Sequence, residues 1–240
     1  DHRSVLLVLQ GMDAAGKGGI VKHVVGAVNP MGVRYTAFGK PTPEELEHDF
    51  LWRIRRALPP PGGHIGVFDR SHYEDVLIVR VRNLVPPEVW GGARYDEINA
   101  FERELVDSGT TLVKVAMFIS LEEQKEQLLE RLDDPTKYWK YNPPGDVDER
   151  LLWPQYQEAY QAVLDRTSTD YAPWHVVPAD RRWYSRLAIT ELLIDALEGL
   201  DLSYPAADFD VATERRRCWT PNFLGAERTL VSAPTRSLCT

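Results

Sequence analysis

The segment Gly11-Met12-Asp13-Ala14-Ala15-Gly16-Lys17 has the spacing G-x-x-x-x-G-K, which suits a loop wrapped around phosphate. The common form of that loop continues with Ser or Thr, whose hydroxyl holds a divalent cation. Here Gly18 and Gly19 follow instead. The backbone N–H groups of Gly11, Ala14, Ala15, Gly16, Gly18 and Gly19, with a helix starting behind them, would focus positive field on phosphate oxygens. Lys17 adds a point charge that can follow a phosphoryl group during transfer. Asp13 is the odd member, because a carboxylate inside an anion-binding loop repels the ligand unless a cation stands between them. The plain alternative is a turn residue, since Asp suits tight loops.

A second cluster, FDRSHYEDVL, occupies residues 68–77. Asp69 closes an apolar run and would join Asp13 as a hard oxygen ligand for Mg²⁺, or Mn²⁺ in its place. Arg70 offers a planar fork for phosphate oxygens. Glu74 has two readings, the glutamate of a capping box opened by Ser71 or a direct chemical role. Asp75 would contact metal-bound water or favour a helix N-terminus. His72 reads as a local hydrogen-bonding residue. Among the bases, Arg53, Arg55, Arg56, Arg80 and Arg82 read by default as solvated surface charges. Lys22 is a phosphate-binding candidate. So are Lys137 and Lys140, which with Arg131 flank or occupy DDPTKYWKYNPPG, a polar, proline-rich stretch suited to a lid over about 131–147.

The elements that must position these residues are legible in the hydrophobic pattern. Apolar runs predict strands at 5–9, 33–38, 64–68, 112–119 and 175–177. Helices are expected at 17–28, from a capping box at Thr42 to 58, at 95–108, from a second box at Ser120 to 132, at 147–166 and at 181–198. This alternation predicts an α/β fold, a five-stranded parallel sheet with helices on both faces, binding its ligand beyond the carboxyl ends of the strands. Residues 1–200 read as that domain, and 201–240 as an irregular or disordered tail.

The whole composition agrees. The 240 residues are 43% hydrophobic and 27% charged, with net charge −8, which argues against broad nucleic-acid binding. Cys218 and Cys239 make no disulfide framework, so a reducing cytoplasm is expected. Apolar runs are too short for a bilayer, and no membrane association is expected. The chain opens at Asp1 without a signal-peptide pattern, leaving room for a removed N-terminal segment.

Taken together, GMDAAGKGG, NPMGV, KPTPEELEHDFLWRI, FDRSHYEDVL, RLDDPTKYWKYNPPGD and RTSTDYAPWHVVPADRRWY resemble the polyphosphate kinase 2 family over roughly residues 5–200. The resemblance implies a P-loop kinase fold similar to thymidylate kinase, with a helical lid. It also implies Mg²⁺-dependent phosphoryl transfer between inorganic polyphosphate and a nucleotide (ADP or ATP, with AMP and guanine nucleotides as further acceptors), and a homo-oligomer. The family's catalytic loop Asp and Lys fall on Asp13 and Lys17, its acid-arginine pair on Asp69 and Arg70, and its lid arginine on Arg131. SHYEDVL and LDDPTKYWK resemble the branch acting on AMP and ADP, which often has Asn at 69. Asp69 resembles the branch restricted mainly to nucleoside diphosphates. Two other readings stay open from the residues alone: an ATP-dependent nucleotide kinase of similar fold, and a non-catalytic phosphate-binding protein.

Overall fold

A computed structural model describes residues 3–60, 62–143 and 145–219. Five strands, β1 (Ser4–Gly11), β2 (Val33–Ala37), β3 (Ile65–Asp69), β4 (Thr110–Phe118) and β5 (Trp174–Pro178), form one parallel sheet in the order β2-β3-β1-β4-β5. Every residue of β1 is buried, because the strand has neighbours on both sides and helices on both faces. Alternation splits its side chains between two cores. Leu6 and Val8 pack with Phe68, Ile98, Phe101 and Val163, while Val5, Leu7 and Leu9 pack with Ile20, Val115, Ile189 and Leu193.

The register sets the site. Leu9 lies opposite Asp69 on one side and Val115 on the other, so the loop after β1 and the turn after β3 leave the same edge. Gly11 lies opposite Met117, and a Cβ there would come within 2.8 Å of the Met117 carbonyl oxygen. Glycine at 11 is therefore required by the close approach of β1 to β4.

Several predicted elements are interrupted, each for a local reason. The first helix is Lys17–His23, with a separate 3₁₀ turn at Val25–Ala27. Thr42 does form its reciprocal capping box with Glu45, yet that helix, Pro43–Leu46, stops and a new one runs Trp52–Ala57. Between them Asp49 Oδ1 accepts from Leu51 N at 2.9 Å, a local bond that competes with helix continuation. The predicted helix over 147–166 divides into Gly145–Leu151 and Trp153–Thr167, because Pro154 suits only a first turn. Ser71 opens no capping box. It accepts from Tyr73 N at 3.3 Å in the 3₁₀ turn His72–Asp75, and Glu74 points elsewhere.

The chain divides after Asp201 into two units. The first holds the sheet. In the second, the tail expected to be irregular contains a helix, Val211–Trp219, whose start is capped by Asp210 Oδ1 accepting from Ala212 N (2.9 Å) and Thr213 N (3.2 Å). The rest of that tail, 220–240 with Cys239, lies outside the described residues. Among the described residues no helix is long and apolar enough to cross a membrane.

Candidate functional site

The edge shared by β1 and β3 opens into a cavity of about 890 Å³. Asp13 to Gly19, Lys22, Asp69, Arg70, Arg131, Lys137 and Lys140 all line it. The site thus brings together the expected residues except Gly11, Glu74 and Asp75.

The loop is shaped by Gly16, at φ 91°, whose carbonyl accepts from Gly19 N (2.8 Å) and Ile20 N (3.2 Å) as the first helix begins. Ala14 (φ 66°) and Arg70 (φ 64°) are non-glycine residues in the left-handed region, a conformation costing about 1–2 kcal/mol each. They lie on the two segments that face each other across the cavity floor. Arg70 Nη2 donates to Asp13 Oδ1 at 3.0 Å, both side chains about one-third exposed. Burial opposes the Arg70 charge, but Glu74, Asp13 and Asp69 outweigh it and raise its pKa. Lys17 is buried and its Nζ donates to the Gly11 (2.7 Å) and Met12 (3.3 Å) carbonyls. Burial, then the Arg70 charge, lower its pKa. Asp69 Oδ2 accepts from Tyr35 Oη at 3.4 Å.

Glu74 stands behind this arrangement rather than on the cavity wall. Burial raises its carboxyl pKa, against the pull of Arg70 and Lys17. With its amide oxygen accepting from Ser71 Oγ (2.9 Å) and Ser71 N (3.0 Å), Gln10 donates to Glu74 Oε1 at 3.0 Å. Asp75 is not among the residues that line the cavity; burial raises its carboxyl pKa, against the pull of Arg94 and Arg53.

The stretch expected as a lid holds a 3₁₀ turn, Pro135–Lys140, between the helices Leu121–Asp133 and Gly145–Leu151. Arg131 Nη1 donates to Asp146 Oδ2 (3.0 Å) and the Lys140 carbonyl (3.2 Å), tying the two ends of that stretch together. Lys137 Nζ meets Glu130 Oε1 at 2.6 Å and Asp134 Oδ2 at 3.1 Å, and Lys140 Nζ lies 5.1 Å from the centre of the Trp139 ring. Arg55 and Arg82 fulfil their default reading as surface charges, whereas the Arg53 side chain is only 9% exposed and lies over the Phe38 ring. Arg55 pairs bidentately with Glu104, and Arg82 pairs with Glu149.

Sequence reasoning missed three contributors. Arg182 and Arg186 line the cavity from the helix Arg182–Glu198, and Arg182 Nη2 bonds Glu130 Oε2 at 2.9 Å and also Gln127. Gln124 Nε2 donates to the Asp13 carbonyl at 2.9 Å while its Oε1 accepts from Arg150 at 3.0 Å, bracing the loop from behind. The doublet at 181–182 was the only hint of the arginines, and Gln124 left none.

Four carboxylates line the cavity, Asp13 and Asp69 next to β1 and β3 and Glu123 and Glu130 on the helix Leu121–Asp133, and among the described residues no group of three or more His, Cys, Asp or Glu gathers as a metal site. The first two, facing a cation-rich phosphate cavity, suit an ion that keeps several waters and takes further oxygens from its substrate.

A glycine loop and lysine between the central strand of a parallel sheet and a helix, with an acid-arginine pair at the end of the neighbouring strand, define a P-loop kinase fold. Residues 1–204 match the family described as Polyphosphate kinase 2, and the chain belongs to that family. It is 51% identical over 204 residues to the AMP/ADP-polyphosphate phosphotransferase of Meiothermus ruber, covering 85% of this chain and 75% of that one. It is 42% identical over 216 residues to the ADP-polyphosphate phosphotransferase of Rhodopseudomonas palustris, covering 85% and 74%. The crystal structure of polyphosphate kinase 2 from Arthrobacter aurescens TC1 superposes with a TM-score of 0.87 at 55% identity, over 91% of this chain and 76% of that one.

Proposed function

We propose that this protein is a polyphosphate:nucleotide phosphotransferase that moves the terminal phosphoryl group between inorganic polyphosphate and a nucleoside diphosphate or monophosphate. The observation that carries the reading is one cavity holding Asp13 and Asp69 amid Lys17, Lys22, Arg70, Arg131, Lys137, Lys140, Arg182 and Arg186. Membership of the family supports it. Such a lining suits two polyanions meeting end to end.

The loop N–H groups and Lys17 hold the terminal phosphates, the Lys17 amine exchanging its carbonyl partners for phosphate oxygens. Arg70 sits where charge spreads over the transferring group, and Arg131, Lys137 and Lys140 enclose it and exclude water. No side chain need act as a strong base, because the attacking oxygen belongs to a phosphate already ionised. Positioning and charge neutralisation are the catalytic demands. Asp13 and Asp69 are the residues that would hold Mg²⁺, or Mn²⁺, which when bound neutralises adjacent phosphates.

For the acceptor, the greater identity to the AMP/ADP enzyme of Meiothermus ruber than to the ADP enzyme of Rhodopseudomonas palustris favours use of both AMP and ADP. Guanine nucleotides are further acceptors in this reading, with the protein working as a cytoplasmic homo-oligomer that binds neither nucleic acid nor membrane. The deciding experiment supplies long-chain polyphosphate and Mg²⁺ with AMP, ADP, GMP or GDP in parallel. ADP formed from AMP and ATP formed from ADP are expected. No product from any acceptor sinks the proposal, and product from ADP alone restricts it to diphosphates. Metal removal by EDTA is expected to abolish transfer, and added Mg²⁺ to restore it.

A further inference from the structure

A fully buried polar cluster lies behind the site, unused by the phosphate chemistry above. Glu102, on the helix Gly92–Asp107, and Lys114, on β4, have no exposed surface, and neither has Tyr73; His72 has 1%. Lys114 Nζ donates to Glu102 Oε2 at 2.6 Å, to Tyr73 Oη at 3.1 Å and to the Thr167 carbonyl at 2.7 Å, using all three of its N–H groups. Tyr73 Oη donates to Glu102 Oε1 at 2.6 Å, and His72 Nε2 donates to the same oxygen at 3.3 Å, since an ionised carboxylate only accepts. Burial opposes ionisation of Glu102, but His72 and Lys114 outweigh it and hold the carboxyl below its usual pKa.

A buried ion pair is a poor route to stability, because well-packed apolar residues of similar volume serve as well or better. What this cluster supplies is a single arrangement for the turn His72–Asp75. That turn begins two residues after Arg70, whose left-handed backbone persists only where its surroundings over-determine it. On the near side Arg70 N donates to the Leu9 carbonyl at 3.0 Å, and on the far side His72 and Tyr73 are pinned to another helix and another strand.

We propose that Glu102, Lys114 and Tyr73 position Arg70 for phosphoryl transfer, fixing the turn after β3 so that its guanidinium faces Asp13 and the phosphates. None of the three lines the cavity, so they act through Arg70 and are positioning residues. The inference rests on the phosphotransferase reading.

Tyr73→Phe keeps the ring and the core volume and removes only the hydroxyl. Measured in the wild-type and Arg70→Ala backgrounds, it is expected to lower kcat about tenfold in the first, with nucleotide KM within about twofold, and less than about twofold in the second. Equal losses in the two backgrounds, or none in either, overturn the proposal. The Arg70 Nε–H resonance, assigned by its loss in Arg70→Ala, gives a readout that needs no turnover. It is expected to shift or broaden in Tyr73→Phe, and an unmoved resonance overturns the proposal. If wild-type protein transfers nothing from polyphosphate, the phosphotransferase reading fails separately and the resonance still decides whether the cluster positions Arg70.

Discussion

Lys17 and Asp13 illustrate how a single side chain is tuned by what surrounds it. Lys17 is buried beside Arg70 and held by two loop carbonyls, contacts that phosphate oxygens can replace. Asp13 shares its charge with Arg70 at 3.0 Å. Lys17→Ala and Asp13→Asn are each expected to lower kcat by about 10²-fold or more, while thermal unfolding shifts by only a few degrees, roughly 1 kcal/mol or less. Kinetics beside melting curves check this. Lost folding with full activity per folded molecule would reassign both residues to structure. Glu74 allows a test by pH. Its carboxyl pKa is raised above 4.5 by burial, so this group favours the native state below the unfolded pKa, and that contribution is lost as pH rises through the folded value. Glu74→Gln should therefore gain thermal stability relative to wild type as pH climbs from about 4.5 to neutrality. A difference that stays flat with pH would remove the raised carboxyl from the account.

At the scale of elements, two sets of bonds join the helices that flank the candidate lid: Arg150 to the Leu121 carbonyl and Gln124 at one end, and Arg131 to Asp146 at the other. Arg131, at the end of one helix, bonds Asp146 at the start of the next, and Asn142 N also donates to Asp146 Oδ2 at 3.3 Å. Arg131 is partly exposed and Asp146 nearly buried, at 20% and 7%, so this pair contributes about 1 kcal/mol after allowance for solvent. Asp146→Asn should then open the lid about fivefold more often. Limited proteolysis between residues 134 and 144, measured without substrate, should accelerate by a similar factor, and unchanged cleavage would show that other contacts hold the lid.

Across the molecule, charge is unevenly divided: the chain carries −8 overall, while eight lysines and arginines line one cavity. Long polyphosphate must therefore be drawn to a local field within a repelling surround. Raising KCl from about 50 to 300 mM shortens the screening length about 2.4-fold and weakens a many-charge contact, so KM for polyphosphate should rise roughly threefold or more. The nucleotide, with fewer charges, should change less. Steady-state kinetics at fixed Mg²⁺ compare the two, and equal responses would argue against a multi-cation contact.

The chemistry next to each strand end was readable from residue order because it is local. A glycine loop and Lys17 follow β1, Asp69-Arg70 follows β3, and strand-helix alternation implies that both open on one edge. Helix breaks at residues 47–51 and at Leu152 were missed because Asp49 and Pro154 act locally against an apolar periodicity that continues through them. The steric reason for glycine at 11, its contact with the Met117 carbonyl, came only with the strand register. Arg182 showed only as one of an arginine doublet, and Gln124 and the Glu102–Lys114 pair had no sequence signal, since each meets partners 12 to 111 residues away through the packing of separate elements. Sequence by itself determined which groups could bind phosphate and in what order they leave the sheet. Only the tertiary structure decided which of them face one cavity and which buried charges hold them there, because burial and side-chain direction arise from long-range packing.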